Sequence, residues 1–452
     1  MGRPCTVGRA SFVCAGIVLV AAALAAIAVL EGFRPSPARE ERVSAPAEVP
    51  PPPQAPPAPE REPPARRRLA ESVEAAVAGE EGEPPSAGGA ASDVDIDGLA
   101  AVLFSEGASL KDRRGAAWKL AQSGAPRALA VLEEAYAAAP PQLRAGIAEA
   151  LGACPEGRGL GLLARIAGEE ADETALRGVV RGIGAAGGPE SVELLDWILR
   201  EDARPASVRG EAALSLGSVA GPEALGALRA AYDRFAAASD DLAEDVLKGL
   251  GCRPIDETRD FFASILDTPR EDNAWRVAAL DALENAEGAV GSFAAKYLDD
   301  DDPEVRAAAA WAIAAAEEPG DVIRELAERL GRETDGFVRV RLYQALANQE
   351  NFPMEAAFGF VEREVDGEAR RAGLELLARH AAEAAPEAQR RFDAEAAPEL
   401  LGAALQGADA EAAMSAVISL RQARTPGARA ALAQIAEQGA LPKVKEAAAR
   451  RL

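Results

Sequence analysis

The chain has 452 residues, of which 48% are hydrophobic but only 4% aromatic, so a large core must be built from Ala, Leu and Val. Such a composition, nearly devoid of β-branched or aromatic runs, favours closely packed helices and an all-α fold. A formal net charge of -24 argues against nucleic acid, whose binding relies on clustered Lys and Arg, and favours a basic protein partner.

Residues 1–10 form a short tail carrying Arg3 and Arg9, after which ASFVCAGIVLVAAALAAIAVL runs without a charge as far as Glu31. At about 1.5 Å per residue, a helix over 11–30 just covers a hydrocarbon layer of about 30 Å, which predicts a single-pass signal anchor. A cleaved signal peptide is the competing reading, because Ala26, Ile27 and Ala28 have the small-x-small form of a cleavage site. The apolar run is long for that, so an uncleaved anchor is expected. Cys14 stands at the start of the run rather than after it, so lipid attachment is not expected. Arg34, Arg39 and Arg42 follow the span, but the short leading tail favours an N-in orientation, with the remainder outside the cytoplasm and the chain held in a bacterial inner membrane.

Residues 31–92 read as a disordered tether. Prolines recur densely, as in VPPPPQAPPAPEREPP, which favours polyproline II at about 3.1 Å per residue and opposes a packed core. ARRRLAESVEAAVAGE has the pattern of a short helix, and Arg66 to Arg68 are expected to be solvated. DVDIDG, Asp93 to Gly98, matches the first half of a calcium loop, but Phe104 occupies the twelfth place where the loop needs Glu. It is expected to lead into, and cap, the first helix of a domain spanning 93–452.

That domain repeats itself. A nine-residue pattern opens with an apolar residue and then Arg or Lys, has a small apolar residue fifth, and ends on Leu or Ile. Clear copies are VRGEAALSL from Val208, WRVAALDAL from Trp275, VRAAAAWAI from Val305, VRVRLYQAL from Val338 and VKEAAARRL from Val444. Weaker ones begin at Leu143, Leu242, Ala369 and Ala412. Successive ninth positions mostly lie 30 to 34 residues apart, with one interval of 43 between Leu377 and Leu420. Steps of four place positions one, five and nine on one apolar helix face. A second helix precedes each copy, often opened by Pro, as from Gly188, Gly221, Pro319 and Pro426. Asp272, Asp302, Asp335, Asp366 and Asp409 stand three residues before position one, where a side-chain oxygen caps the free N–H groups of the helix. The run Asp299 to Asp302 is therefore expected to be an inter-helix turn rather than a cation site.

DDDDPEVRAAAAWAI, with its copies, resembles the HEAT repeat, in particular the short form found in phycobilin-lyase-like HEAT proteins, and the whole chain resembles bacterial membrane-anchored HEAT-repeat proteins. The resemblance covers 97–452 and implies a right-handed α-solenoid of about eleven helical hairpins. It also implies ladders between neighbouring repeats made by the turn Asp and the following basic residue, here Arg209, Arg276, Arg306, Arg339 and Lys445. Copies from Leu242 and Ala412 lack that residue and should interrupt the ladder.

No catalytic set, metal site or cofactor site is expected. The single histidine, His380, closes a second helix, where a cation suits the helix dipole. Cys5, Cys14, Cys154 and Cys252 are too scattered for a disulfide framework. The seventh positions hold Trp118, Glu149, Lys248, Asp281, Trp311, Gln344 and Glu375, a chemical range that a buried column would not tolerate. This column is expected to line the concave surface and bind a protein partner, with Trp118 and Trp311 as anchors and Glu149, Asp281 and Glu375 steering basic groups. The alternative, a lyase-like HEAT enzyme or enzyme-associated subunit, rests on the resemblance alone.

Overall fold

The computed structural model describes residues 94–450 apart from 239, 269–272, 317–319, 351 and 407–408. The expected tail (1–10), anchor (11–30) and tether (31–92), like Asp93, lie outside the described residues. Among the described residues there is no strand, and no helix is long and apolar enough to cross a membrane.

The 22 α-helices of the described residues pair into eleven hairpins. The second helices of hairpins 1 to 6 are Leu110–Ser123, Pro141–Gly152, Glu173–Ala186, Ala206–Ser218, Leu242–Gly251 and Ala274–Asp281. Those of hairpins 7 to 11 are Pro303–Ala315, Gly336–Ala347, Gly367–Ala381, Ala410–Ala423 and Pro442–Ala449. Every described ninth position, from Leu120 to Leu420, is buried, as the helical period requires. The long interval before Leu420 arises because the first helix of hairpin 10, Pro386–Gln406, has 21 residues. Hairpin 8 departs from expectation: its first helix is Ile323–Arg332, starting beyond Pro319, which is outside the described residues.

Successive second helices lie side by side along the array, whereas successive first helices touch far less, hairpins 10 and 11 excepted. Glycines allow the close approach in the N-terminal half. A Cβ on Gly152 would stand 2.1 Å from the carbonyl oxygen of Gly182, one on Gly217 2.1 Å from that of Gly249, and one on Gly251 1.8 Å from that of Ala282. Because the second-helix layer is the more tightly spaced, the stack bends toward it and those helices form the inner face. Hairpin 1 presents a mixed outer surface, with Asp112, Lys119 and Gln122 exposed but Val102, Phe104 and Leu110 exposed as well.

Asp302, Asp335, Asp366 and Asp409 all cap their helices, with Asp302 Oδ1 2.8 Å from the Glu304 N–H and Asp335 Oδ1 3.1 Å from that of Val338. Each such cap contributes about 1 kcal/mol. Asp172 does the same for Ala175 in hairpin 3. Asp272 lies outside the described residues, and the cap position of that helix is Asn273. Asp95 caps the first helix, Ile96–Phe104, through the Gly98 N–H at 2.8 Å.

The ladder differs from the one the resemblance implied. Its acceptor is not the capping Asp but the acidic residue two positions earlier. Arg306 Nε stands 2.9 Å from Glu333, Arg339 Nε 2.8 Å from Glu364 and Arg144 3.2 Å from Glu170, while Arg276 bonds Asp300. In each case the carboxylate belongs to the next hairpin. Glu170, Glu333 and Glu364 also accept the N–H groups of the two residues that follow them, so the same carboxylate shapes its own turn. The arginine has a second task, donating to a terminal carbonyl of its own hairpin's first helix: Arg276 to Leu266 at 2.8 Å, Arg339 to Leu330 at 2.9 Å and Arg370 to Val361 at 2.7 Å. Arg209 and Lys445 make this inner bond, Arg209 also pairing with Asp202 of its own turn at 3.0 Å, and neither reaches a carboxylate of a following hairpin among the described residues.

The four aspartates of the hairpin 7 turn are thus accounted for separately. Asp299 pairs with Arg329 and Arg332, Asp300 with Arg276, the Asp301 carbonyl accepts from Arg306, and Asp302 caps the helix and accepts from Asn273. Burial opposes the charge on Glu333, but Arg306, Arg329 and its two backbone donors outweigh it and hold the carboxyl down to about 2. A carboxylate whose pKa is depressed on folding adds stability above its unfolded value near 4.5, and that stability is lost as pH falls toward 2. Glu333→Gln should therefore cost roughly 3 kcal/mol at pH 7, as expected for breaking a buried pair. The gap from the parent chain should close below pH 3, read by urea unfolding across that range; a pH-independent gap would show that Glu333 acts by shape rather than charge.

Candidate interaction surface

At about 100° per residue, position seven of each second helix is rotated by about 200° from the buried position five, so it points away from the core. The structure leaves the expected column Trp118, Glu149, Lys248, Asp281, Trp311, Gln344 and Glu375 exposed or half-buried throughout. Three further members, Arg181, Leu214 and Ile418, escape sequence reasoning because their copies of the repeat are degenerate or draw notice to their core positions alone. Trp118, Leu214 and Ile418 are 40%, 37% and 50% exposed. Large apolar side chains this accessible are otherwise confined, among the described residues, to the first hairpin and to Phe337 and Val365 at helix starts and turns.

The column is not uniform in charge. Over hairpins 1 to 4 it is locked into one network: Glu149 lies 2.6 Å from Arg114 and 2.7 Å from Arg181, which reaches Glu211 at 3.1 Å, itself 2.9 Å from Arg177. Glu149 is thereby neutralised and is not the open steering charge that its position suggested. Glu375 accepts from Ser415.

Hairpins 5 and 6 are different. Among the described residues Glu244, Asp281 and Glu284 form no ion pair, and all three are exposed. Desolvation is the largest influence on Asp281 and, with Glu284 and Glu244, pushes its carboxyl up, against the pull of Arg341.

Trp311 departs from expectation. It is half-buried, and the Arg341 guanidinium covers its ring at 4.3 Å while facing Phe337 at 5.2 Å. Arg341 also donates to Gln344 at 3.1 Å. The indole is thus the base of a stacked pair rather than a bare anchor, and Trp118 is the open one. His380 is also not the cation expected at a helix end: burial and then Arg379 lower its pKa, and its ring lies 6.4 Å from that of Phe352.

Cys154 is buried and Cys252 exposed, in different hairpins and not joined in a disulfide. No group of three or more His, Cys, Asp or Glu positioned to hold a metal occurs among the described residues.

No family model matches the chain, and no curated protein matches it. Among solved structures it is similar to the karyopherin Kap121p bound to the extreme C-terminus of the protein phosphatase Cdc14p, at 13% identity and a TM-score of 0.46, covering 78% of this chain and 45% of that one. It is also similar to importin beta in an ammonium sulfate condition, at 13% identity and a TM-score of 0.39, covering 84% of this chain and 58% of that one. The chain therefore spans about half the length of these structures.

An acid whose pKa is raised on folding detracts from stability as pH climbs past its unfolded value, and in full once pH exceeds its folded one. Asp281→Asn should accordingly melt higher than the parent at pH 7 and identically below the ordinary Asp value of 3.8. A lower melting temperature at pH 7 would mean that Asp281 is satisfied in the fold and is not held there against it.

Proposed function

We propose that this chain is a membrane-tethered HEAT-like scaffold that binds a protein partner along the inner face of its second helices. The observation that carries the reading is the seventh-position column, a line of large apolar, polar and charged side chains that stay exposed or half-buried through ten hairpins. A position that only had to pack would be small and apolar, as position eight is at Ala150, Gly182, Gly249, Ala282 and Ala312. The uncompensated carboxylates of hairpins 5 and 6 and the net charge of -24 favour a basic partner.

The apolar run over 11–30 and the proline-rich segment over 31–92 support the rest of the reading: a single-pass anchor in the inner membrane, and a tether that holds the array outside the cytoplasm at a distance from the bilayer. Nothing in the arrangement favours the lyase-like alternative.

The test joins both parts. The full chain should stay with the membrane through carbonate extraction and, after detergent solubilisation, should retain a protein partner that Trp118→Ala and Asp281→Lys release without a fall in thermal stability. Release of the chain by carbonate would remove the anchor. A partner retained by both variants would move binding off this face.

A further inference from the structure

The column holds a longer period than the hairpin. Its large apolar members are Trp118, Leu214, Trp311 and Ile418, which belong to hairpins 1, 4, 7 and 10. Every intervening member is polar: Glu149 and Arg181, then Lys248 and Asp281, then Gln344 and Glu375. No requirement of the core imposes this, because position seven is exposed or half-buried, and never buried, in all of these hairpins.

The intervals have a chemistry of their own. In the first interval Glu149 and Arg181 are bonded to each other, but the later two keep donor and acceptor capacity: Asp281 is unpaired beside Lys248, which holds Asp245 with one of its three N–H donors, and the Gln344 amide N–H groups stand beside Glu375. A bound α-helix satisfies its own backbone and asks for neither. An extended chain brings unpaired N–H and C=O groups that need both. Packed helices lie roughly 9 Å apart, so three hairpins separate the apolar points by about 27 Å, which an extended chain at about 3.3 Å per residue crosses in about eight or nine residues.

Resting on the scaffold reading, we infer that the inner face takes an extended polypeptide whose apolar side chains recur about every nine residues, each seating at one hairpin in three, with Lys or Arg between the second and third. The position of the cationic residues follows from charge complementarity. Glu244, Asp281 and Glu284 lie between Leu214 and Trp311 and form no ion pair among the described residues, whereas the carboxylates of the first interval are already bridged by arginines. At the third point, Arg341 stacked on Trp311 and Phe337 offers a flat guanidinium face against which an apolar or aromatic side chain can lie.

The experiment uses the full chain in detergent and synthetic peptides of one composition, rich in Ser and Pro, with Phe placed at intervals of about five, nine or eighteen residues and Lys in the middle interval. Fluorescence anisotropy should show the nine-residue peptide binding roughly tenfold more tightly than the five-residue isomer, a preference that Leu214→Ser and Ile418→Ser each abolish. Ile418 is half exposed, so its variant should melt as the parent does and guards against misfolding in the other. Exchanging the peptide's Lys for Glu should weaken binding by a similar factor. Equal affinity for the isomers, tightest binding of the eighteen-residue peptide in a helical form, or a preference that survives both variants would overturn the inference. Such a result, with a membrane partner still released by Trp118→Ala and Asp281→Lys, would remove the spacing alone and leave the scaffold standing.

Discussion

Four joins of the array depend on one carboxylate in the turn. Glu170, Glu333 and Glu364 each accept two N–H groups of their own turn while taking an arginine from the hairpin before. That arginine, at Arg339, also closes the carbonyl end of its own first helix, as Arg276 does while pairing with Asp300 of the next turn. Turn shape, helix termination and the join between hairpins are therefore one interaction rather than three. Burying such a group without all of its partners would cost several kcal/mol, so the pieces must form together. Where position two is Ala243 or Ala413 the chain abandons the device and relies on apolar packing.

Much of this was legible from the residues. Hairpin number, core positions and the capping aspartates follow from a nine-residue period and from the chemistry of free N–H groups at a helix start. The ladder's true acceptor was written in the sequence as well, in the recurring Glu170-x-Asp172, Asp300-x-Asp302, Glu333-x-Asp335 and Glu364-x-Asp366. The resemblance pairs the arginine with the capping Asp, which stands two residues beyond the true acceptor. The covering of Trp311 by Arg341 was out of reach, since those residues are thirty positions apart and meet only once neighbouring helices are in register. Charge state was similarly hidden. Glu149 and Asp281 occupy equivalent positions, yet arginines on either side neutralise one and protein surrounds the other.

Inner and outer faces divide the labour. Positions one, five and nine vary little in chemistry because they meet the same neighbours in every hairpin, while position seven meets only water and the adjacent hairpins. The variety along that column is where the array stores information that its fold does not use.

The close-packed glycines divide the array in another way. From Gly152 to Gly251 the inner helices touch backbone to backbone, and the short-range attraction between them collapses once they separate by a fraction of an ångström. Ion pairs link hairpins 1 to 4 as well, but hairpins 6 to 9 rely on Arg and carboxylate pairs without such glycine contacts, and that attraction fades gradually with distance. Pulled along its axis, the protein is a spring of two stiffnesses. The stretch from Gly152 to Gly251 should resist and then part abruptly, while hairpins 6 to 9 should give by degrees, and salt should soften the ion pairs of both.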